Sequence, residues 1–577
     1  MKIPLIKSTF IWSIVLAVTV QLLLAFQGID VCDDGFMLTF YQQFFNHPES
    51  VEYNFMYWLA GFIGGIWYET FDGAGMLSFK LLAIIVNTLT YIVGFYVLKP
   101  YLKTQYVIIG LLMALFIYDF GFLVFYHNQL TALLTVTGVY FLIKALREQG
   151  SSWFIIAGLV IGVNIFARLT NLSLLALIAV IPFFGMISKT SVHVILKSTL
   201  QYVLGIGLGA TAMVLLIVVL GQWSIFSSAL ETLTDLGTAS DSSHNFSDLI
   251  SIQFLNYKTI LGSFVKFGIL TAVLILLSKF LNSKSVGKGI LLVAGVVVYG
   301  YWFYNQHTIY AIYVLSLIGC LVVIIRKQES DIFRCVALAA LLILLVLPLG
   351  SAGGVISSGY MAIWLSLPLF FYAILLLSKL KMRSVEYKWP SNIIIIAIVV
   401  SFFSIKVYRV FNEAYFDPGS RLEKTASVNS KYLKHVYTTE ERAEILNEVL
   451  FHLKEVAQPN DYILAYDNIP LIHYLTETKP YLGNPWVWLY DDASFERKLD
   501  MASQDKDELP VIVAQKFETI IAFSEPKLNY LSTTPHADNE SRIYKNKILQ
   551  QFLISHNYEI VWSNSYFNIY KVNHPAK

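Results

Sequence analysis

The chain has 577 residues, of which 56% are hydrophobic and only 14% are charged, and its formal net charge is +2. Soluble domains carry roughly 25% charged residues, so this composition excludes a soluble globular protein. The small net charge gives no reason to expect nucleic acid as a partner. Three cysteines without an evident pairing predict no disulfide framework. We therefore expect a polytopic, α-helical integral membrane protein.

Apolar runs long enough to cross a bilayer recur along the chain. A membrane helix needs about 20 mostly apolar residues, and about thirteen such runs are present. The first, Phe10–Phe26, is interpreted as a retained helix because no small-residue cleavage site follows it. The others lie near Phe79–Leu98, Tyr106–Phe125, Gln129–Leu146, Trp153–Ala167, Leu172–Ile187, Leu200–Leu220, Gly262–Phe280, Gly289–Phe303, Thr308–Ile325, Ile332–Leu347, Tyr360–Leu377 and Ile393–Val410.

The charges of the connecting loops predict the orientation. Lysine and arginine concentrate in alternate loops, whereas the long loops 28–78 and 221–261 between them are acidic. Basic loops stay in the cytoplasm, so we expect a cytoplasmic N-terminus and outer positions for these two loops. The alternation requires the long run from Trp153 to Ile187 to be interrupted at Arg168. Within loop 28–78, the glycine-containing stretch Phe55–Trp67 predicts an interfacial helix.

Two domains are predicted, a membrane domain over residues 1–410 and an extracytoplasmic α/β domain over residues 411–577. In the second domain, short β-rich runs predict strands and a longer polar–apolar pattern predicts a helix. A hairpin is expected around Asn564-Ser565. The predicted strands are Tyr462–Tyr466, Val511–Ala514, Thr519–Phe523, Tyr558–Trp562 and Phe567–Val572, and the predicted helix is Ser541–His556.

Unusual polar residues gather at the predicted outer ends of the spans, where ionisable groups near lipid are costly and often functional. Each also has a structural interpretation: acidic residues after a first helix often belong to a solvated loop, an arginine can anchor a helix end, and a glycine-rich segment is commonly a turn. Because these residues converge at one depth, a functional site is favoured over separate structural roles. The candidates are Asp30, Asp33, Asp34, Asp119, His127, Arg168, Asn171, His244, His307 and the segment Gly350–Gly354 with Gly353 and Gly354.

Three short motifs carry a resemblance to a known group. Asp33-Asp34-Gly35-Phe36 follows the first span, Arg168-Leu169-Thr170-Asn171 follows a glycine-containing helix, and Ile472-His473-Tyr474-Leu475 precedes Lys479-Pro480. The chain resembles the GT-C membrane glycosyltransferases, and more narrowly the bacterial branch related to protein mannosyltransferases and the aminoarabinose transferase of lipid A. It departs from that group's Asp-Glu-Gly pattern in having Asp34 at the second acidic position.

The resemblance implies an inverting transfer of a sugar from a polyprenyl-phosphate donor to a glycan, lipid or protein acceptor at the outer face of a bacterial inner membrane. A general base would be a carboxylate, for which Asp33 is the first candidate. Asp34 or Asp30 would help to orient the acceptor or a divalent metal ion. Arg168, then His127 and the Gly350–Gly354 segment, would bind the donor phosphate. A transporter or flippase, or a polymerase or ligase for lipid-linked saccharides, is the alternative class.

Overall fold

A computed structural model describes residues 3–71, 73–117, 123–238, 245–280, 285–379, 381–382, 385–386, 388–412, 417–516 and 537–573. The chain is mostly helical up to residue 412. In chain order the helices of this part are α1 (Ile3–Ala25), α2 (Asp33–Gln43), α3 (Trp58–Thr70), α4 (Met76–Leu98), α5 (Thr104–Leu115), α6 (His127–Glu148), α7 (Ser151–Asn164), α8 (Val180–Ile187), α9 (Val192–Val219), α10 (Trp223–Thr238), α11 (Phe246–Phe280), α12 (Ser285–Tyr304), α13 (Thr308–Ile325), α14 (Asp331–Val346), α15 (Val355–Ser358), α16 (Leu367–Lys379) and α17 (Lys388–Asn412).

Nine helical segments of the described chain are long and apolar enough to cross a membrane, which confirms a polytopic helical membrane protein. They are α1 from Ser8, α4, α6, the segment Leu169–Ile187, α9, α11 to Ser278, α12, α13 and α17 from Trp389. The other four predicted spans overlap the shorter helices α5, α7, α14 and α16. The span predicted at Tyr106–Phe125 runs past the end of α5 and lies partly outside the described residues. The predicted interruption at Arg168 is present, because α7 ends at Asn164 and a 3₁₀ helix begins at Leu169.

Glycines allow α7 and α9 to pack backbone to backbone. A Cβ atom on Gly158 would lie 2.0 Å from the Tyr202 carbonyl oxygen, and one on Gly209 would lie 2.3 Å from that of Leu159. Small residues at such crossings are the usual means by which membrane helices approach closely. Close backbone packing against α9 thus holds the short helix α7 in the bundle.

The connection between α1 and α4 is an ordered structure. It contains α2, a 3₁₀ helix (Pro48–Tyr57) and α3. The glycines of α3 face α2: Cβ atoms on Gly61 and Gly64 would lie 2.2 Å from the Phe40 ring and 2.1 Å from the Tyr41 ring. The predicted helix in the Phe55–Trp67 stretch is therefore present, and its glycine face packs on α2.

The C-terminal region, residues 417–573, contains a five-stranded mixed sheet. In sheet order its strands are β6 (Lys479–Pro480), β5 (Tyr462–Tyr466), β7 (Val511–Gln515), β9 (Phe567–Val572) and β8 (Tyr558–Ser563). The predicted strands at Tyr462 and Val511, the hairpin and the C-terminal helix are confirmed, whereas Thr519–Phe523 lies outside the described residues. A two-stranded ribbon, β1 (Lys381–Met382) and β2 (Val385–Glu386), precedes this region. Its elements are β3 (Ala426–Ser427), β4 (Tyr437–Thr438), α18 (Glu440–Val456), β5 (Tyr462–Tyr466), α19 (Leu471–Thr476), β6 (Lys479–Pro480), α20 (Asp492–Asp505), β7 (Val511–Gln515), α21 (Ala537–Ser555), β8 (Tyr558–Ser563) and β9 (Phe567–Val572), with 3₁₀ helices at Arg421–Glu423, Lys431–Leu433 and Val487–Leu489.

One hydrophobic core joins the C-terminal region to the α2–α3 connection. The backbone N–H of Leu471 donates to the Val31 carbonyl oxygen at 3.1 Å. A Cβ atom on Gly35 would lie 2.3 Å from the Leu471 backbone nitrogen, so only glycine fits at this point of α2. The start of α2 is therefore positioned by the C-terminal region.

Candidate active site

A cavity of about 310 Å³ lies where the α2–α3 connection, the start of α6, the break at Arg168 and the segment after α14 meet the C-terminal region. Its wall combines acidic, basic, hydroxyl and aromatic side chains. The lining residues are Asp33, Phe36, Tyr53, Met56, Tyr57, Leu123, Tyr126, His127, Asn128, Arg168, Leu169, Thr170, Leu233, Gly350, Ser351, Ala352, Gly353, Ser357, Ser358, Trp486, Trp488 and Leu489. Residues from six separate parts of the sequence thus share one chamber.

Asp33 is the first residue of α2, and its side chain lines the cavity. Its Oδ1 accepts a hydrogen bond of 2.9 Å from the Tyr126 hydroxyl. A hydroxyl donor stabilises the ionised form of a carboxylate and fixes its orientation. Asp33 is therefore placed as an oriented carboxylate in contact with the chamber.

Asp30 and Asp34 are buried beside the cavity and do not line it. The two oxygens of Asp30 accept the backbone N–H groups of Cys32 (2.7 Å) and Asp34 (3.1 Å), which secures the first turn of α2. Asp34 Oδ1 accepts the N–H of Val124 at 3.1 Å. The geometry gives both residues the role of holding the turn that carries Asp33.

Burial changes the acid–base behaviour of these two carboxyl groups. Loss of hydration raises the pKa of Asp30 well above its ordinary value, and the carboxylates of Asp34 and Asp33 raise it further. Burial also raises the pKa of Asp34 to about 7, and the ammonium of Lys80 opposes this shift. Lys80 is itself buried in α4, and its Nζ donates to the Gly28 carbonyl oxygen at 2.6 Å. A lysine inside an apolar run is the sequence signal that could have indicated this partner.

Arg168 lies in extended backbone directly before the 3₁₀ helix Leu169–Ala179, and only 6% of it is exposed. Its Nη1 has no hydrogen-bond partner, and within the described part of the chain its guanidinium makes no ion pair. The break is held by Asn171, whose Nδ2 donates to Thr131 Oγ1 (2.8 Å) and to the Asn164 carbonyl oxygen (3.0 Å). The fold thus presents to the cavity a buried cation that forms no ion pair with any acidic residue of the described chain.

His127 begins α6, and its ring stacks on Tyr57 with centroids 3.8 Å apart and planes at 10°. It is 4% exposed, and its Nδ1 has no hydrogen-bond partner. The neighbouring Asn128 donates from Nδ2 to the Tyr360 hydroxyl at 2.6 Å. His127 and Arg168 therefore offer two buried nitrogen-bearing groups to the same chamber.

The segment after α14 forms a further part of the wall. Gly350 and Gly353 line the cavity, and Gly354 packs outside it against Asn256 of α11. Gly350 has φ +79° and lies against Thr170, a backbone conformation that side-chain-bearing residues rarely adopt. The segment is thereby fitted closely to the Arg168 turn.

Sequence reasoning did not assign several lining residues to the site. Tyr57 stacks on His127, and Tyr126 donates a hydrogen bond to Asp33. In the sequence, tyrosines at the ends of apolar runs are typical of the aromatic belt at a membrane interface. Trp486 and Trp488 also line the cavity. From the sequence, this pair could bind the face of a sugar or pack at an interface, and packing is the favoured interpretation. Local sequence does not assign these residues to the site, because only the fold brings them to the chamber.

Two further candidates from the sequence, Asn171 and His307, do not line the cavity. Asn171 is buried behind Arg168, and His307 is exposed at the start of α13. Asp119 and His244 lie outside the described residues. Among the residues that the structure describes, no group of three or more His, Cys, Asp and Glu side chains is placed to hold a metal ion.

Comparison with known proteins gives one kind of match. No protein-family model matches the chain, and no curated protein matches it. Fifteen chains of solved structures match. One of them is an oligosaccharyltransferase of Archaeoglobus fulgidus, crystallised in complex with zinc and sulfate, with a TM-score of 0.40 and 13% sequence identity over 87% of this chain and 68% of that one. A similarity of this size carries no argument about the site.

Proposed function

We propose that this protein is a membrane glycosyltransferase. It moves a sugar from a polyprenyl-phosphate donor to a glycan, lipid or protein acceptor at the outer face of the bacterial inner membrane, with its N-terminus cytoplasmic and its C-terminal region periplasmic. One observation carries the proposal: a single cavity is lined by the oriented carboxylate of Asp33 and by the buried guanidinium of Arg168, which has no anionic partner among the described residues. Sugar transfer from a lipid phosphate needs a base and a site for the departing phosphate.

In the proposed reaction Asp33 acts as the general base. It takes the proton of the acceptor hydroxyl while that oxygen forms a bond to the anomeric carbon of the sugar. The bond between the anomeric carbon and the phosphate oxygen breaks with inversion, and the lipid phosphate leaves with the electron pair. The Tyr126 hydroxyl keeps the Asp33 carboxylate aimed into the cavity.

Arg168 receives the charge that develops on the leaving phosphate. A buried arginine without a counter-ion is unfavourable in the empty protein, and a phosphate oxygen supplies the missing acceptor. The planar guanidinium can donate two parallel hydrogen bonds to one phosphate group. His127 and the backbone of residues 350–353, which line the cavity, provide additional donors.

Asp30 and Asp34 are assigned to positioning, because backbone N–H groups donate to both oxygens of Asp30 and to Oδ1 of Asp34. Among the described residues, the carboxylates near Asp33 are not grouped to hold a divalent ion. Whether the reaction uses such an ion is measured by adding a chelator to the transfer assay below.

The proposal is tested with purified protein in detergent micelles, where no membrane barrier exists. A panel of polyprenyl-phosphate hexoses is supplied together with glycan, lipid and peptide acceptors, and release of the polyprenyl phosphate is measured. Turnover is expected in the wild type, and Asp33→Asn should lower it by about 100- to 10,000-fold without loss of donor binding. Asp331→Asn, a half-exposed carboxylate of α14 paired with Arg334, is the control.

Two results would count against the proposal. Vesicle-dependent movement of the lipid-linked sugar without turnover in micelles would indicate a transporter or flippase. Addition of whole lipid-linked saccharides to a growing chain, with Asp33→Asn as active as wild type, would indicate a polymerase or ligase.

A further inference from the structure

We propose that Trp486 and Trp488 form the subsite for the sugar ring of the donor. This inference rests on the proposed function and assigns to the C-terminal region a direct part in substrate selection. The two indoles line the same cavity as Asp33 and Arg168. They come from the 3₁₀ turn around Val487–Leu489, outside the membrane-spanning helices.

The aromatic wall reaches the residue that acts as base. The Trp486 and Trp488 rings stack with centroids 5.6 Å apart and planes at 27°. The Phe36 and Trp486 rings pack in an edge-type arrangement, with centroids 6.0 Å apart and planes at 61°. Phe36 lies three residues after Asp33 on α2 and therefore on the same face of that helix. A ring resting on the indoles would thus have its reactive carbon near the Asp33 turn.

Buried polar contacts hold this wall in place. Trp486 donates from Nε1 to Asn468 Oδ1 and from its backbone N–H to Asn484 Oδ1, both at 2.9 Å. Lys545, only 4% exposed, donates from Nζ to the carbonyl oxygens of Trp488 (3.2 Å) and Tyr490 (3.0 Å). Burying a lysine is unfavourable unless its donors are satisfied, and two hydrogen bonds from Lys545 go to this one turn. The indoles are therefore preorganised before a ligand arrives.

The chemistry of the wall suits a pyranose ring. The face of an indole is electron-rich, and the C–H bonds on one face of a pyranose carry small positive charges that make weak contacts with it. The ring hydroxyls would point to the polar edges of the chamber, such as Ser357. A carboxylated sugar would be repelled by the indole faces and by Asp33. We therefore expect a neutral or amino hexose as the donor sugar.

The experiment compares two lipids that differ only in the sugar. Binding of decaprenyl phosphate and of the same lipid bearing one hexose (glucose, galactose or mannose) is titrated in micelles. The wild type should bind one hexose-bearing lipid more tightly than the bare lipid. Trp488→Ala should reduce this preference about 10-fold, the size of one aromatic ring contact, and leave the bare-lipid affinity unchanged. Trp488→Phe should restore part of it.

Trp562→Ala is the matched control, since this tryptophan of β8 stacks on His452 and does not line the cavity. Lys545→Met should weaken the sugar preference as well, because it removes the hydrogen bonds that hold the turn carrying Trp488. An unchanged preference in a folded Trp488→Ala protein would overturn the inference while leaving the proposed function intact. If only transfer to the acceptor is lost, the indoles bind the acceptor and the inference is wrong. Failure of the wild type to bind either lipid would overturn both.

Discussion

Arg168 should affect stability and donor binding in opposite directions. Arg168→Met replaces a buried guanidinium that has no ion pair in the described part of the chain by an apolar side chain of similar length. Replacing buried charge by well-packed apolar groups is often neutral or stabilising by about 1–4 kcal/mol. The empty variant should therefore unfold at the same temperature as the wild type or a higher one.

Donor binding should weaken in the same variant. A hydrogen bond to a charged group contributes about 1.5–3 kcal/mol, and each 1.4 kcal/mol is about tenfold in affinity. Loss of one guanidinium–phosphate bond therefore predicts roughly 10- to 150-fold weaker binding of a polyprenyl-phosphate hexose. Arg168→Lys keeps the positive charge but loses the planar guanidinium that can donate two parallel hydrogen bonds. Its affinity for the donor should therefore lie between those of the wild type and Arg168→Met.

Arg421 is the control residue, because its substitution should change stability and leave donor binding unaffected. It is 3% exposed, but its guanidinium donates to carbonyl oxygens of Val410 (2.6 Å), Leu24 (3.4 Å) and Gln27 (3.4 Å). Arg421→Met leaves these acceptors without their donor, so it should destabilise the protein by about 1–3 kcal/mol with no change in donor affinity per folded molecule.

The assay combines thermal unfolding in detergent with titration of the donor lipid into the folded fraction. If Arg168→Met is destabilised like Arg421→Met while its donor affinity stays at the wild-type value, Arg168 is a structural anchor. The phosphate would then belong to His127 or the Gly350–Gly354 segment.

Three further predictions concern the turn that carries Asp33 and the orientation of the chain. Gly35→Ala should lower both folded yield and turnover, because its Cβ would meet the backbone of the C-terminal region at 2.3 Å, whereas Gly262→Ala, with nothing within 4 Å, should behave as wild type. Because the folded-state pKa of Asp34 is raised from 3.8 to about 7, folding favours its protonated form, and stability is lost as the pH rises through this range. In thermal unfolding measured across this pH range, Asp34→Asn should not show this loss of stability. If its stability falls with pH in parallel with the wild type, the raised pKa of Asp34 is not the cause. Cysteines placed at exposed Ser565 and Ser151 should be labelled from outside only at the former, against a low background since all three native cysteines are buried; labelling of both would refute the orientation.

Much of the architecture follows from local sequence properties. Apolar runs of bilayer length demand helices, because backbone groups in lipid must be satisfied within their own segment. The break at Arg168 is visible because polar residues interrupt an apolar run, and the strands at Tyr462 and Val511 follow from short β-rich stretches. Convergence of Asp33, His127 and Arg168 could be anticipated, since the lengths of the spans place their ends at one depth.

The different roles of the three acidic residues depend on tertiary structure. Asp30, Asp33 and Asp34 look equivalent in the sequence, but backbone N–H groups occupy the oxygens of Asp30 and reach Asp34, and only Asp33 lines the cavity. Such roles depend on where hydrogen-bond donors from distant segments lie, and a periodic pattern carries no information about that.

The sequence by itself determined that this is a helical membrane protein with an α/β C-terminal region and polar candidates at the span ends, because hydrophobicity and charge act residue by residue. Only the tertiary structure decided that Trp486 and Trp488 complete the cavity and that Leu471 positions the Asp33 turn. These contacts join segments more than four hundred residues apart. Their existence depends on close packing between two surfaces, a property of the folded chain as a whole.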